Sequence, residues 1–467
     1  MAQGSLVRTL RIKSRRKIGN LGLVTSALGD AGAAIQEIIT LRLGHTFAVR
    51  DFNVVLEDED HVAQAIAAVN DLNDSEVEST GNPSHQAHLG GKIRTHTRVD
   101  LSGLTALQTA YNPGVREIIN AIDDDERAAE RFTSAPRTVA IVSDGAGLIG
   151  VGRVRSRAML PVLEAKAALL AQFAGLNSLP LVLDVQSEEE VTETVKRLAP
   201  SCGAILIDAI GGGRGMRVQE TLDDALDIPV FDDDSDGPAV AVLAASINAA
   251  NRIGKDIKSV KVGQIGLGTA GSAIANLIMT FTGNSVKGED VHPAALSRHV
   301  HRGGEESNLE EIMATCDIVV ANTGHPDVIP ASLVREGQAI LALSVPRGEI
   351  DPYDAVLAGA AFAADGHAIN KAVAFPGLLL GALGVRATTV NTEMQIAAAL
   401  TLAELAPNGD LIPTPQQEGV HAAVAAAVAR AAVTSGAATA DVPEALLSAS
   451  VFEDAITDGR LIPLRAE

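Results

Sequence analysis

The sequence predicts an α/β protein made of a small N-terminal α+β module followed by two larger parallel α/β domains. Three observations predict it. A glycine-rich turn sits between an apolar strand and an apolar helix late in the chain. Buried-type strands alternate with helical periodicity from about residue 137 onward, and a βαββαβ order of short elements precedes residue 80. With 467 residues the chain can hold two or three domains, each with its own core. Aromatic residues are only 2% and Trp is absent, so those cores must be built from Ala, Val, Leu and Ile.

The elements follow in order. Residues 6–12 alternate as a half-buried strand should, and Gly19-Asn-Leu-Gly22 makes a turn into a helix over 23–34. Strands at 35–41 and 47–56 and a helix over 61–72 continue the module. The acidic run 57–60 reads as a solvated helix cap. This βαββαβ order resembles an ACT domain, a regulatory fold that binds amino acids between paired copies, with Gly19 to Gly22 at its ligand turn. A docking or dimerisation module without a ligand fits the same pattern. The polar stretch 73–88 reads as a linker. Beyond it come a strand at 138–142, the loop Asp144-Gly-Ala-Gly147, a helix over 157–172, and strands at 179–183 and 204–207. Pro238 suits the start of a helix and of the last domain. The expected domains are 1–82, 83–237 and 238–467.

The last domain carries Gly266-Leu-Gly268-Thr269-Ala270-Gly271 between the strand Val260-Lys-Val-Gly-Gln-Ile265 and an apolar helix from Ser272. That is the dinucleotide-binding fingerprint of a Rossmann domain in its required context. The first glycine permits the tight turn, the second admits a pyrophosphate, and the third lets helix pack on strand. Free N–H groups of the helix start then face the phosphates. Asp290 lies nineteen residues after Gly271, where an acid bonds ribose hydroxyls and disfavours a 2′-phosphate, so NAD is expected rather than NADP. Later strands run over 317–321 and 338–343, and Asn322, just past the first of them, joins the cofactor set.

A net charge of −21 argues against nucleic-acid and anionic-membrane partners, because phosphate binding needs clustered Lys and Arg. Cys202 and Cys316 are only two and far apart, which suits a reducing cytoplasm. Residues 1–5 lack a signal-peptide pattern, and the Ala-rich stretch 422–432 is too short and too interrupted to span a membrane.

Several segments together resemble the bacterial malic enzymes that carry an N-terminal ACT domain. They are His88-Leu-Gly-Gly-Lys-Ile93, Ala110-Tyr-Asn-Pro-Gly-Val115, Val142-Ser-Asp-Gly145, Leu160-Pro-Val-Leu-Glu-Ala-Lys-Ala167 and Asp227-Ile-Pro-Val-Phe-Asp-Asp-Asp234. The fingerprint, Glu349-Ile-Asp-Pro352, Phe375-Pro-Gly377 and Gly381-Ala-Leu complete the series in order. The resemblance implies oxidation of a metal-bound 2-hydroxy acid, malate or a relative, by NAD, followed by loss of carbon dioxide, in a homodimer or larger assembly. Lys166 is then the base and Tyr111 the general acid. Apolar neighbours Ala165, Ala167, Ala168 and Leu169 are expected to lower the lysine pKa by desolvation. On pattern alone Lys166 reads rather as a helix lysine snorkelling to water, and it is the resemblance that reverses this preference. Asp208, Asp233 and Asp234 are the carboxylates that would hold Mg²⁺ or Mn²⁺.

The departures matter as much. Counting back from 228–231 without a gap, Asp208 and Ala209 stand where the family has Glu and Asp, and Ala209 offers no ligand. Arg214 and Arg217 add cations nearby, as do Arg153, Arg155 and Arg157 in the glycine-rich loop. Val345 replaces an asparagine and is followed by Arg347. Of an Asn-Asn pair, Asn370 remains while Lys371 replaces the second. Asn370, Lys371 and Arg347 are therefore expected at the substrate. Two alternatives stay open: the same scaffold acting on another acid with little or no metal, or a non-catalytic sensor of nucleotides or amino acids.

Overall fold

The structure, a computed structural model, describes residues 6–147, 152–185, 187–211, 213–345 and 347–459. The start of the chain, part of the glycine-rich loop after Asp144, and Pro346 lie outside the described residues. Two compact units divide the chain, Met1–Arg94 and Thr95–Glu467.

In the first unit, strands β1 (Leu6–Arg15), β2 (Ala34–Leu43), β3 (Phe47–Leu56) and β4 (Ser75–Gly81) form an antiparallel sheet in the order β2-β3-β1-β4. Its core joins Leu10, Ile12, Phe52 and Val54 to Val24 and Leu28 of the helix Asn20–Asp30 and to Val62 and Val69 of the helix Glu59–Asn70. Asp58 caps the latter by accepting the His61 N–H at 2.8 Å, as the acidic run suggested. Two expectations need correction. The turn lies at Ile18 and Gly19, the latter at φ 88°, and the helix starts at Asn20. The polar stretch 73–88 is not a linker: β4 pairs with β1, and the short helix Pro83–His88 follows. An edge strand satisfies its backbone on one side only and needs few apolar side chains, so Val77 alone of β4 reaches the core.

The second unit contains two parallel sheets. Strands β5 (Thr138–Ser143), β6 (Asn177–Val182), β7 (Ala204–Ile207) and β8 (Val230–Asp232) are ordered β6-β5-β7-β8. Every residue of β5, β7 and β8 is buried, as strands covered on both faces must be. The second sheet comprises β9 (Val262–Ile265), β10 (Lys287–Glu289), β11 (Glu305–Glu306), β12 (Ile318–Ala321), β13 (Ala339–Ala342) and β14 (Phe362–Asp365), ordered β11-β10-β9-β12-β13-β14. In each sheet the chain reverses its direction of travel once, between β5 and β7 and between β9 and β12. Ligands bind beyond the strand ends at such points.

One hydrophobic cluster runs from Val139, Leu206 and Phe231 through the helix Asp236–Arg252 to Val262, Val320 and Leu341. Pro238 sits in the first turn of that helix, where its missing N–H costs nothing. The helices Phe375–Gly384 and Val420–Ser435 pack very closely: a Cβ on Gly377 would lie 2.7 Å from the His421 carbonyl oxygen, and one on Gly381 2.5 Å from that of Ala425. The Ala-rich stretch is thus a core helix. By contrast, the helices Leu104–Ala110 and Val115–Asp124 bury no residue, and Leu104, Leu107, Tyr111, Val115 and Ile119 are all exposed. Among the described residues no helix is long and apolar enough to cross a membrane.

Candidate active site

The first cluster grows from strand ends. β7 runs directly into Asp208, which is buried, and β8 ends at Asp232 and passes into Asp233 and Asp234. Facing them is the helix Leu160–Ala174, started by Pro161 and ended by Gly175 in the left-handed region. Its inner face carries Leu163, Lys166, Ala167 and Leu170, all buried. The periodicity that buries the leucines also buries the lysine, whose ammonium donates to Asp208 Oδ1 and Asp233 Oδ2 in two short hydrogen bonds.

Lys371 reaches the same carboxylates from the 3₁₀ turn Lys371–Val373. Its Nζ donates to the Asp233 carbonyl oxygen at 3.1 Å and lies 3.2 Å from Asp233 Oδ2 and 3.6 Å from Asp234 Oδ1. Asp234 Oδ2 accepts the Ala209 N–H at 2.9 Å. The structure therefore brings Lys166, Lys371, Asp208, Asp233 and Asp234 together.

Their electrostatics overturn one expectation. Burial does pull the Lys166 ammonium down, but Asp233, Asp208 and Asp234 outweigh it and the pKa is raised. The apolar neighbours foreseen in the sequence are present, and the carboxylates delivered by other strands win. Burial raises Asp208 above its ordinary value, whereas the two lysines overcome burial at Asp233 and hold it low. Behind them burial, with Asp234 and Asp236, pushes Asp232 up to about 7.

The carboxylates expected at a metal are thus counterions of lysines. Asp234 has partners on both oxygens. Asp208 Oδ2 and Asp233 Oδ1 are buried without one, but Asp233 Oδ1 points at the helix start, 2.8 Å from where a Gly237 Cβ would sit. Among the described residues no group of three or more His, Cys, Asp or Glu side chains is arranged to hold a metal ion. The residues present do not fit the divalent cation of the resemblance.

Of the other expected members, Tyr111 and Arg347 are exposed, and Asn370 caps the turn that carries Lys371. Tyr111 is 68% exposed, and its hydroxyl makes no hydrogen bond among the described residues. Arg347 is exposed, 3.7 Å from the equally exposed Asp327. Asn370 spends its side-chain oxygen on the Ala372 N–H at 3.0 Å. Arg214 binds Asp144 at 2.8 Å and Arg217 binds Glu188, so neither is a free cation beside the lysines. Arg153, Arg155 and Arg157 surround an open cavity of about 790 Å³ with Asp184.

The second cluster is the cofactor turn. Gly266 has φ 85°, and a Cβ there would lie 2.5 Å from the Asn322 carbonyl oxygen; one on Gly271 would lie 2.0 Å from that of Gly266. Over Gly268 the space is open, leaving room for a phosphate beside the helix Thr269–Thr282, which starts at Thr269 and Ala270. Asp290 follows β10 and accepts the Leu267 and His292 N–H groups, each at 2.7 Å, which aims its remaining lone pairs. Glu349 was not foreseen as a site residue. Fully buried, it accepts from the Thr323 N–H at 2.6 Å and from the Ser344 hydroxyl, joining the loops after β12 and β13. Its sequence signals were its place shortly after a strand and at the head of Glu349-Ile-Asp-Pro352, one of the segments that carry the resemblance.

The family pattern described as malic enzyme, N-terminal domain, matches residues 98–196. NAD-dependent malic enzyme 1 of Bacillus subtilis (strain 168) is 41% identical over 432 residues, spanning 92% of this chain and 98% of that protein. The NAD-dependent malic enzyme of Geobacillus stearothermophilus is 30% identical, over 93% of this chain and 96% of that protein. Among solved structures, the malic enzyme of Pyrococcus horikoshii Ot3 superposes with a TM-score of 0.73 at 30% identity, covering 79% of this chain and 92% of that one. The NAD-dependent malic enzyme of Thermotoga maritima gives a TM-score of 0.70 at 30% identity, covering 75% and 99%.

Proposed function

The chain belongs to the malic enzyme family, and from that premise we propose that it oxidises malate with NAD and releases carbon dioxide. The observation that carries the site assignment is a buried lysine held by two strand-end aspartates in the same compact unit as an intact dinucleotide turn. Gly266, Gly268 and Gly271 would hold NAD, with Asp290 for its ribose, and NAD would supply the hydride acceptor for C2 of the substrate. Thr269, Ala270 and Asn322 complete that pocket.

Lys166 handles the hydroxyl proton. Because its ammonium is already charged, it takes that proton while passing one to Asp208, whose raised pKa suits it to receive it. Lys166 is then again an ammonium beside the C2 oxygen, where negative charge develops as the carbon–carbon bond to the departing carboxylate breaks. Asn370 and Arg347 are assigned to substrate carboxylates, and Tyr111 to protonation of the enol carbon. The exposed apolar residues around Tyr111 support self-association into a dimer or larger assembly. The βαββαβ order and its sheet support an ACT-type regulatory role for residues 1–82, with an amino acid as effector. Residues 83–237 would serve the substrate and 238–467 the cofactor. Two buried, free cysteines accord with a cytoplasmic setting.

Purified protein given malate and NAD should form NADH with one carbon dioxide per NADH. NADH without carbon dioxide would remove the decarboxylation step, and no NADH would remove the reading.

A further inference from the structure

A divalent cation in this reaction would hold the C2 oxygen of the hydroxy acid and stabilise the charge that gathers there. The position meant for it is built differently in this chain. Ala209 supplies no oxygen, and the change has no backbone cause: Ala209 sits at φ 54°, a left-handed conformation that Asp tolerates better than Ala. Asp234 turns one oxygen to the Ala209 N–H and the other toward Lys371. Asp233 Oδ2 is shared by Lys166 and Lys371, and Asp208 Oδ1 is taken by Lys166. What bridges these carboxylates is a pair of ammonium groups, carrying together the formal charge of one divalent cation.

The two lysines are not equivalent. The Lys166 side chain is 11% exposed and wedged between two acids, whereas that of Lys371 is 35% exposed. Lys371 thus combines an anchor on Asp233 with an opening toward solvent, from which a small acid would enter. An ammonium has three donors on a flexible stem, so Lys371 can keep its bond to the Asp233 carbonyl and still donate to a substrate oxygen.

We propose that the Lys371 ammonium takes the divalent cation's place against the C2 oxygen, so that this chain oxidises malate without added metal. The inference rests on the malate reading above. Fixed donors aimed at a developing oxyanion in a partly buried site supply the stabilisation a Lewis acid otherwise gives. A cation entering as well would meet two ammonium groups at close range, and among the described residues the unpaired oxygens there, Asp208 Oδ2 and Asp233 Oδ1, are both buried.

The test uses full-length protein, stripped with EDTA and gel-filtered, and assayed for NADH formation from malate in EDTA and in Mn²⁺. Rates within about threefold of each other are expected. A rate at least tenfold higher in Mn²⁺ overturns the inference while leaving the malate reading intact; no turnover in either arm overturns both. Lys371→Asn should lose about a hundredfold in EDTA with its unfolding transition unchanged. The double variant Ala209→Asp, Lys371→Asn should regain activity with Mn²⁺ only. Titration calorimetry with Mn²⁺ should show heat for that double variant and none for the parent, and equal Mn²⁺ binding by both would count against the proposal.

Discussion

Two regions are asked to supply one reaction, and they are built in opposite ways. Around Lys166 the acids leave strand ends and the lysine itself leaves the inner face of a helix, all fixed by packing, with Asp208 and Asp233 buried beside it. Around Tyr111 the helices Leu104–Ala110 and Val115–Asp124 bury nothing, and the tyrosine stands in solvent. The difference teaches that a lysine's position can be inherited from the core of its own chain. A residue on an element without buried contacts takes its place only from something that covers it.

The sharpest way to break this contrast is Lys166→Ala. Turnover should fall about a thousandfold with NAD affinity nearly unchanged, as read by steady-state kinetics and fluorescence titration. An unaffected rate would end its role in proton transfer.

Packing can be compared directly. Leu163→Ala, beneath the lysine, should lower stability by about 3 kcal/mol in denaturant unfolding. Ile119→Ser, on the exposed helix, should change it by no more than about 0.5 kcal/mol. Similar losses for the two would mean that the second helix is covered after all.

Asp290→Ala removes the acceptor of the Leu267 N–H and should raise the KM for NAD about tenfold while sparing kcat.

A smaller effect concerns Asp223, pushed up to about 7 by burial and by Asp236. The folded state holds its proton more tightly than the unfolded chain. Stability from this group is therefore complete below about pH 3.8 and lost as the pH rises through about 7. Asp223→Asn should raise the melting temperature by about 2 °C at pH 8 and leave it unchanged at pH 4.

Much of the architecture was legible because it rests on local rules. The glycine fingerprint with Asp290, and the buried runs of β5 and β7, state their conformation in a few consecutive residues. Asp208 could be found by counting back from residues 228–231 to the segment the resemblance places there, since no gap intervenes. The polar strand β4 was not legible, because its place comes from β1 across the sheet rather than from its own side chains. The direction of the Lys166 shift was missed for the same kind of reason. Neighbours in sequence are apolar, but the groups that set its charge arrive from β7 and β8. Lys371 stood out as a substitution, yet nothing local says that a residue 138 positions beyond Asp233 will touch it. Glu349 hides likewise: full burial of a carboxylate is a property of the assembled loops.

The Gly377 and Gly381 contacts reach further than their chemistry. The helix they sit on begins four residues beyond Lys371, and it lies against its neighbour with no clearance for a methyl group. An alanine at either glycine would act as a wedge, tilting the rod that carries the lysine and lifting its charged tip away from the acids. Natural variation at those two sites would then tune the enzyme by mechanical offset, with every reacting group left in the sequence.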